Sequence, residues 1–315
     1  MPRSKRLVLR DVEKLKQINQ DTQSLFDKYK IDMMMRNLSQ NTQMHYTFDL
    51  QQWFIYILDH QNNKSVLDIT DEDLTEFLYY CKSYGNNGER IKLRIATISA
   101  FYKFLRKKHY IKENPVEFID RPKRGISVIP QTYLTAEQVA VLREKLIAKK
   151  NTQLRLYAML SLSTMARVSA ISSIRWEQVD LKNKIIHNVL EKEAKIVDLY
   201  FSDEVKCLFN NLLEERENKN INDYGWVFYS SHKPNHHVTT GTMNAWSKSI
   251  GKMIGIPTLH PHDFRHSGAT LLKNAGMSLE DVSTLLSHES TDTTKKYYIK
   301  QDTARISSMK SLYNI

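Results

Sequence analysis

The sequence predicts a mainly helical α+β protein of two domains, with one small β-hairpin or sheet in the second domain. Apolar residues recur at helical spacing through most of the chain, as Tyr46, Leu50, Phe54 and Leu58 do in one segment. Only two runs, KIIHNVL and KIVDLYF, alternate convincingly as strands do, and the short segment EKEA separates them. A segment with prolines, a glycine and no helical period, RPKRGISVIPQTY, divides the chain at 121–133.

Helix-start signals organise the first domain, which we place at residues 1–120. Ser39 is a candidate N-cap for QNTQMHYTFDLQQWFIYILDH, and Thr70 with Asp73 predicts a capping box before DEDLTEFLYYCKS. A long helix follows, with the sequence ERIKLRIATISAFYKFLRKKH. Its apolar face is formed by Ile91, Ile95, Ile98, Phe101 and Leu105.

The polar side of this long helix is rich in cations, and the linker after it is also basic. Such a stripe is often only a solvated face, but so many cations on one helix favour contacts with DNA phosphates. A basic linker could lie along the DNA backbone while joining two domains. The candidate DNA-binding residues are Arg90, Lys92, Arg94, Lys103, Arg121, Lys123 and Arg124.

The second domain, placed at 134–315, begins with Thr135 as a candidate N-cap for AEQVAVLREKLIAKK. The next segment, TQLRLYAMLSLSTMA, is apolar enough to be a buried helix, and the predicted hairpin comes after it. Near the C terminus, Ser278 and Asp281 predict a capping box for a helix that runs to about Ser287.

The charge balance indicates a polyanionic partner. The chain has 46 Lys+Arg against 35 Asp+Glu, a net charge of +11, and a pI of about 9.4. Nucleic acid is such a partner, although a merely basic cytosolic protein has the same balance. Cys81 and Cys207 lie outside any CxxC spacing, so we expect neither a disulfide scaffold nor a structural zinc site. Since no signal peptide or membrane-spanning stretch is recognisable, we expect a cytoplasmic, nucleoid-associated protein without a membrane partner.

Two of four candidate catalytic patches precede residue 200. In TMARVSAISSIRW, Arg167 lies where a buried helix meets the next one. Burial of this charge is costly unless it meets an anion, and no acid is close in sequence. A salt-bridged structural arginine is the alternative. Lys192 stands at the tip of the predicted hairpin, with Lys195 as a second candidate and simple solubilising charge as the alternative role.

The third patch is LHPHDFRHSGATLL. His262 and Arg265 are three residues apart, so on a helix they project from one face. The small residues Ser267, Gly268 and Ala269 would let this helix pack closely. A zinc site at the neighbouring histidines is not expected, because no carboxylate or cysteine completes a set of ligands.

The fourth patch, SLEDVSTLLSHESTDTTKKYYIK, presents His288 after a helix and Tyr297 on the next predicted helix, which Ser290 or Thr291 can start. A single tyrosine in a helix normally has a packing role. Adjacent helical residues differ by about 100° in direction, so either Tyr297 or Tyr298, but not both, can face a given point.

Together these side chains supply what metal-free phosphoryl transfer requires. Two guanidiniums can hold the non-bridging oxygens of a phosphodiester, and a tyrosine hydroxyl can attack it and store the strand end as a phosphotyrosine ester. A lysine or histidine can protonate the departing sugar oxygen, and a histidine can assist tyrosine deprotonation. No acidic cluster that would hold Mg²⁺ is recognisable, so we expect no cofactor and no metal.

The four patches resemble, in order, the Arg, Lys, His-x-x-Arg, His/Trp and Tyr pattern of the tyrosine site-specific recombinases, which include phage and transposon integrases and Xer-type recombinases. Between the two histidines the separation is 26 residues, and from the second histidine to the tyrosine it is 9. LSQNTQMHYTFDLQQWF and FYKFLRKKHYIKENP also look like the family's helical core-binding domain. By this resemblance the catalytic residues are Arg167, Lys192, His262, Arg265, His288 and the nucleophile Tyr297.

The resemblance implies a two-domain C-shaped DNA clamp that joins a helical, SAM-like core-binding domain to a tyrosine recombinase catalytic domain. It further implies cleavage through a 3′-phosphotyrosine, a Holliday junction, and a homotetramer on two double-stranded DNA recombination sites. The free chain would be a monomer or weak oligomer, with the tail QDTARISSMKSLYNI docking on a neighbour or on its own domain, and a directionality factor as a possible accessory. Integration, excision and dimer resolution all fit.

Three positions depart from the family pattern. The family usually has an acid three residues after the first arginine, where this chain has Ala170. Ser287 replaces the glycine before the second histidine, and Glu191 and Glu193 replace glycines beside the lysine. None of these changes removes a reacting group, but Ala170 leaves open how Arg167 is oriented.

Two other functions are compatible with part of this pattern. A type IB topoisomerase uses the same chemistry without exchanging partners, and the separate core-binding domain argues against it. A DNA-binding regulator on the same scaffold would be expected to have lost site residues, whereas this chain retains the full set.

Overall fold

The computed structural model describes residues 7, 9, 11–123, 133–191, 195–233 and 235–286. Tertiary contacts divide the chain into two compact units, Met1–Ile129 and Pro130–Ile315. This division falls within the predicted linker, most of which lies outside the described residues. None of the helices in the described part of the chain combines the length and the apolar character that spanning a bilayer requires.

The described part of the first unit is built of helices. They are α1 Val12–Gln17, α2 Gln20–Met35, α3 Gln40–His60, α4 Asp71–Ser83 and α5 Gly88–Lys107, followed by a short 3₁₀ helix at Pro115–Phe118.

Capping and packing explain these helices. The Ser39 hydroxyl accepts the N–H of Thr42 at the start of α3, and Thr70 and Asp73 form the predicted reciprocal capping box of α4. All five apolar residues of the predicted face of α5 are buried, as is Trp53 of α3, which packs 5.8 Å from Tyr102 between ring centroids. The helical prediction for this unit is confirmed.

The second unit is helical around one small sheet. Its elements are α6 Ala136–Ala148, α7 Thr152–Thr164, α8 Val168–Ser172, a 3₁₀ turn at Trp176–Gln178, β1 Val179–Asp180, β2 Ile185–Leu190, β3 Ile196–Tyr200, α9 Asp203–Asn218, α10 Thr240–Met253, α11 Pro261–Asn274 and α12 Leu279–Leu285.

The sheet has the antiparallel order β1-β2-β3, and β2 pairs with β3 in the register Leu190↔Ile196 and Val189↔Val197. This confirms the predicted hairpin. The two-residue strand β1 was not predicted, because so short a run carries no alternation that a sequence pattern could reveal. The same pairing closes the hairpin end, where the N–H of Glu191 donates to the carbonyl of Lys195 at 2.7 Å.

Helix α7 lies at the centre of the second unit, as its apolar sequence predicts. Leu156, Tyr157 and Leu160 are fully buried, and both α9 and α11 pack on this helix. The predicted cap at Thr135 is confirmed by its bond from the Gln138 N–H. At α12 the Ser278 hydroxyl accepts the N–H of Asp281, as predicted. The Asp281 carboxylate, however, accepts from this same hydroxyl at 2.6 Å and not from the N–H of Ser278, so the predicted reciprocal capping box is only half formed.

The contact between α11 and α7 is unusually close. A Cβ atom placed on Gly268 would lie 2.1 Å from the carbonyl oxygen of Leu162 and 2.8 Å from Cγ of Met165. Only glycine fits between these atoms, so the prediction that small residues let α11 pack closely is confirmed. Gly268 follows Arg265 by one helical turn, and this contact therefore fixes how near Arg265 comes to the end of α7.

Candidate active site

Arg167 is positioned by the way α7 ends. Met165, the residue after α7, adopts a left-handed conformation with φ of 55°, which is uncommon outside glycine and asparagine and turns the chain abruptly. Two residues later Arg167 is the N-cap of α8, and its side chain remains 28% exposed. The guanidinium forms an ion pair with the carboxylate of Glu191.

Arg265 reaches the same place from α11. This helix begins at Pro261, with His260 as its N-cap. The Arg265 side chain is largely buried, with only 8% of it exposed. The guanidinium donates to the carbonyl of Met165 at 2.6 Å and to the carbonyl of Leu286, so it joins the ends of α7 and α12. Its Nη1 lies 3.9 Å from Oε1 of Glu191.

Glu191 is therefore the point at which the two predicted catalytic arginines meet. In the sequence, this residue is distinctive only as a replacement for a glycine beside Lys192. The sequence contained one indication that Arg167 has an anionic partner. Burial of its charge is costly unless it meets an anion, and the neighbouring sequence provides none. The anion comes from 24 residues further along the chain, at the end of β2.

His262 completes the described part of the site. Partial desolvation lowers the pKa of its imidazole below the usual 6.5, and electrostatic interactions with His260, Arg265 and Arg167 lower it further, against a raising effect of Asp263. The two arginines thus lie within electrostatic reach of this ring. Near neutral pH, His262 is therefore uncharged and able to accept a proton.

The lowered pKa predicts a loss of stability in mild acid. Burial also lowers the pKa of His266, with a further contribution from His262. Below about pH 6.5 the unfolded chain therefore binds more protons than the folded one, and stability falls as pH drops through the folded-state values. We expect the melting temperature to decline between about pH 7.5 and about pH 5.5, and a His262→Gln/His266→Gln variant to show a smaller decline. An equal decline in the wild-type protein and the double variant would show that His262 and His266 do not cause the loss of stability.

The other predicted catalytic residues, Lys192, His288 and Tyr297, lie outside the described residues. Described residues that directly precede two of these segments nevertheless contact the arginines. Glu191 immediately precedes Lys192 and contacts both guanidiniums, and Leu286, two residues before His288, accepts a hydrogen bond from Arg265.

The candidate DNA-binding residues of the first unit fall into two groups. Arg94 is buried, at 1% exposure, and its guanidinium bonds to Asn86 at 2.8 Å and to Gln52. Because phosphates cannot reach it there, Arg94 is removed from the candidate DNA contacts. Arg90 is partly buried in an ion pair with Asp49, and Lys92 pairs with Glu89 at 2.9 Å.

The second group lines a groove of the first unit. Lys103 and Arg121 border it together with Arg36 and Lys107, and its volume is about 440 Å³. Within the described residues, Lys103, Lys107 and Arg121 form no ion pair with a carboxylate, whereas Arg36 pairs with Asp32. Lys123 is exposed and lies two residues after the groove residue Arg121, and Arg124 lies outside the described residues.

Comparison with protein families decides what kind of protein carries this site. The description "Phage integrase family" matches residues 132–305, and "Phage integrase, N-terminal SAM-like domain" matches residues 26–109. The chain belongs to the phage integrase family. This protein is thus a tyrosine recombinase, an enzyme that cleaves and rejoins DNA strands, and the predicted family and enzyme class are confirmed.

Curated relatives align with this chain over most of its length. It is 29% identical to the tyrosine recombinase XerC of Herpetosiphon aurantiacus, over 85% of this chain and 88% of the relative. It is 26% identical to the tyrosine recombinase XerD of Halalkalibacterium halodurans, over 89% of this chain and 93% of the relative.

Solved structures share the fold of this chain. The XerH site-specific recombinase bound to palindromic difH substrate in a post-cleavage complex matches with a TM-score of 0.70 at 19% identity, covering 97% of this chain and 90% of that one. The Tn1549 transposon integrase in complex with circular intermediate DNA gives a TM-score of 0.68 at 17% identity, covering 89% and 95%. The predicted fold class, mainly α with a small antiparallel sheet, is confirmed.

Proposed function

We propose that this protein is a site-specific recombinase in which the Tyr297 hydroxyl attacks one phosphodiester of its DNA site. The attack forms a 3′-phosphotyrosine ester and releases a 5′-hydroxyl. The free 5′-hydroxyl of one site attacks the phosphotyrosine of its partner, which releases Tyr297 and joins the exchanged strands. A second round resolves the resulting Holliday junction.

The observation that carries this proposal is the meeting of Arg167 and Arg265. Two guanidiniums that reach one carboxylate are close enough to hold two non-bridging oxygens of a single phosphate between them. They remain charged at any working pH, and charge that develops on those oxygens in the transition state strengthens both interactions. The arginines are 98 residues apart in sequence, and a shared anion site is the simplest function of their convergence.

The remaining roles follow from charge and chain order. Neutral His262 accepts the proton of the attacking tyrosine, and Lys192, next to Glu191, donates a proton to the departing sugar oxygen. His288 follows Leu286 by two residues and supplies a further hydrogen-bond donor to the phosphate beside Arg265. None of these steps requires a metal ion.

Duplex DNA is held by both units in this proposal. The groove cations Lys103, Lys107 and Arg121 contact backbone phosphates, because charges without carboxylate partners are available to a polyanion. The solved relatives XerH and the Tn1549 integrase are DNA complexes, which supports the same class of ligand here. A regulator without catalysis and a topoisomerase are not favoured by the comparisons.

Four protomers would act on two DNA sites, with the C-terminal tail, residues 301–315, docking on a neighbouring protomer. The same strand exchange serves integration or excision of a mobile element and resolution of DNA dimers. An accessory directionality factor would choose between directions.

The decisive experiment captures the covalent intermediate. A duplex is first selected from a randomised library by binding to the full chain, and versions nicked at successive positions near its centre are prepared. A nick beside the cleavage site lets the short product diffuse away and prevents religation, so a protein–DNA adduct should accumulate. Protease digestion and mass spectrometry should then find the nucleotide on Tyr297, attached through its 3′-phosphate. An adduct on another residue, a 5′ linkage, or no adduct at any nick position would overturn the proposal.

A further inference from the structure

Glu191 has a side chain that is only 1% exposed, which is exceptional for a carboxylate. Removal of such a group from water is costly unless partners compensate it. It lies between two guanidiniums, with an ion pair to Arg167 and a distance of 3.9 Å to Nη1 of Arg265. The buried charges therefore compensate each other, and the three side chains act as one unit.

The position of Glu191 is fixed by the hairpin. It directly follows β2, and its N–H donates to the carbonyl of Lys195 at 2.7 Å, which holds the backbone across the hairpin end. On the other side, the backbone N–H of Arg167 lies 3.5 Å from Oε1 while the guanidinium binds Oε2. The Glu191 carboxylate thus contacts both the main chain and the side chain of Arg167.

The residue three positions after Arg167 cannot do this. Ala170 is fully buried and packs in the apolar core of the second unit, so no carboxylate reaches Arg167 from α8. We propose that Glu191, supplied by the hairpin, is the residue that positions Arg167 and, through it, the pair of phosphate-binding arginines. This inference rests on the proposed catalytic role of those arginines.

The contact of Glu191 with the arginines would have a different role if its carboxylate occupied the phosphate-binding site and bound DNA displaced it. Burial argues against it, because a carboxylate standing where DNA phosphate enters would be open to solvent. The Arg167 side chain is 28% exposed, whereas the Glu191 side chain is only 1% exposed. The two roles have opposite consequences. A positioning carboxylate raises the cleavage rate, and a blocking one lowers both cleavage and DNA affinity.

The test compares Glu191→Gln and Glu191→Asp with wild type on the nicked duplex that yields the adduct. We expect Glu191→Gln to lower the cleavage rate at saturating DNA by up to about 100-fold, as displacement of a catalytic group does, with little change in the DNA Kd. Glu191→Asp keeps the charge and should recover part of that rate. Glu204→Gln is the matched control, because Glu204 forms an exposed ion pair with Arg143 at 3.1 Å. The Glu204→Gln protein should cleave DNA at the wild-type rate.

Each other outcome overturns the inference. An unchanged cleavage rate in Glu191→Gln would show that Arg167 needs no positioning by this carboxylate, and faster cleavage with tighter DNA binding would assign it the blocking role. Melting temperatures establish that the variants are folded. If Glu191→Gln is not folded, Glu191→Asp becomes the test, because its shorter side chain moves the carboxylate away from Arg167 and should leave cleavage slower than in wild type. A folded Glu191→Asp protein that cleaves at the full wild-type rate would then overturn the inference. Failure of the wild-type chain itself to form an adduct would instead overturn the proposed function.

Discussion

A Tyr297→Phe variant should bind its DNA site with wild-type affinity and form no covalent adduct. The substitution removes one oxygen atom and leaves the aromatic ring, so shape and packing are preserved while the only proposed nucleophile is lost. Arg167 and Arg265 would still hold the phosphate, which is why binding is expected to persist. Binding is measured by gel shift and cleavage by denaturing electrophoresis on the nicked duplex.

The adjacent tyrosine provides the matched control. If the segment is helical, as the sequence predicts, Tyr297 and Tyr298 point about 100° apart and only one can face the phosphate. Tyr298→Phe should therefore retain adduct formation. Adduct in the Tyr297→Phe protein together with its absence in Tyr298→Phe would transfer the nucleophile to the neighbouring residue.

Replacement of Gly268 by alanine should destabilise the second unit and lower the cleavage rate together. In an isolated helix this substitution would stabilise by about 1 kcal/mol. Here the new methyl group would lie 2.1 Å from the carbonyl oxygen of Leu162, a backbone atom that cannot rotate away. Overpacking of this kind costs about 1–3 kcal/mol, so we expect net destabilisation. Since Arg265 lies one turn away and binds the carbonyl of Met165, retreat of α11 from α7 would also separate the two arginines.

Gly241→Ala separates this effect from helix propensity. Gly241 is also helical, in α10, but a Cβ there would meet its nearest neighbour, Oγ1 of Thr239, at an ordinary 3.4 Å. This variant should be at least as stable as wild type and cleave normally. Three of the four tryptophans, Trp176, Trp226 and Trp246, belong to the second unit, so fluorescence-detected unfolding reports on it. Equal stability of the two alanine variants would show that α11 accommodates the methyl group without moving.

Local patterns were sufficient for much of the fold. The caps at Ser39, Thr70 and Thr135 depend on neighbouring residues alone, and the apolar face of α5 and the β2–β3 hairpin depend on a regular period. Such signals are complete within a few residues, which is why they could be predicted. The reaction class was likewise indicated by the residue types at 167, 262, 265, 288 and 297 and their order.

Long-range contacts could not be predicted in this way. The same helical periodicity that identified α5 could not show that Arg94 is buried while Lys103 borders a groove, because that depends on what α2, α3 and α4 place around these side chains. In the same way, the carboxylate that Arg167 needs comes from a strand end 24 residues away, and sequence distance gives no measure of that approach.

By itself, then, the sequence determined that this protein has a helical unit, a second unit with one hairpin, and the reacting groups of a tyrosine recombinase. Only the tertiary structure decided that Arg167 and Arg265 meet at Glu191, since the packing of α11 on α7 and the end of β2 bring them together. The physical reason is that a pattern records which groups are present, whereas the compensation of buried charge depends on distances that only the folded chain sets.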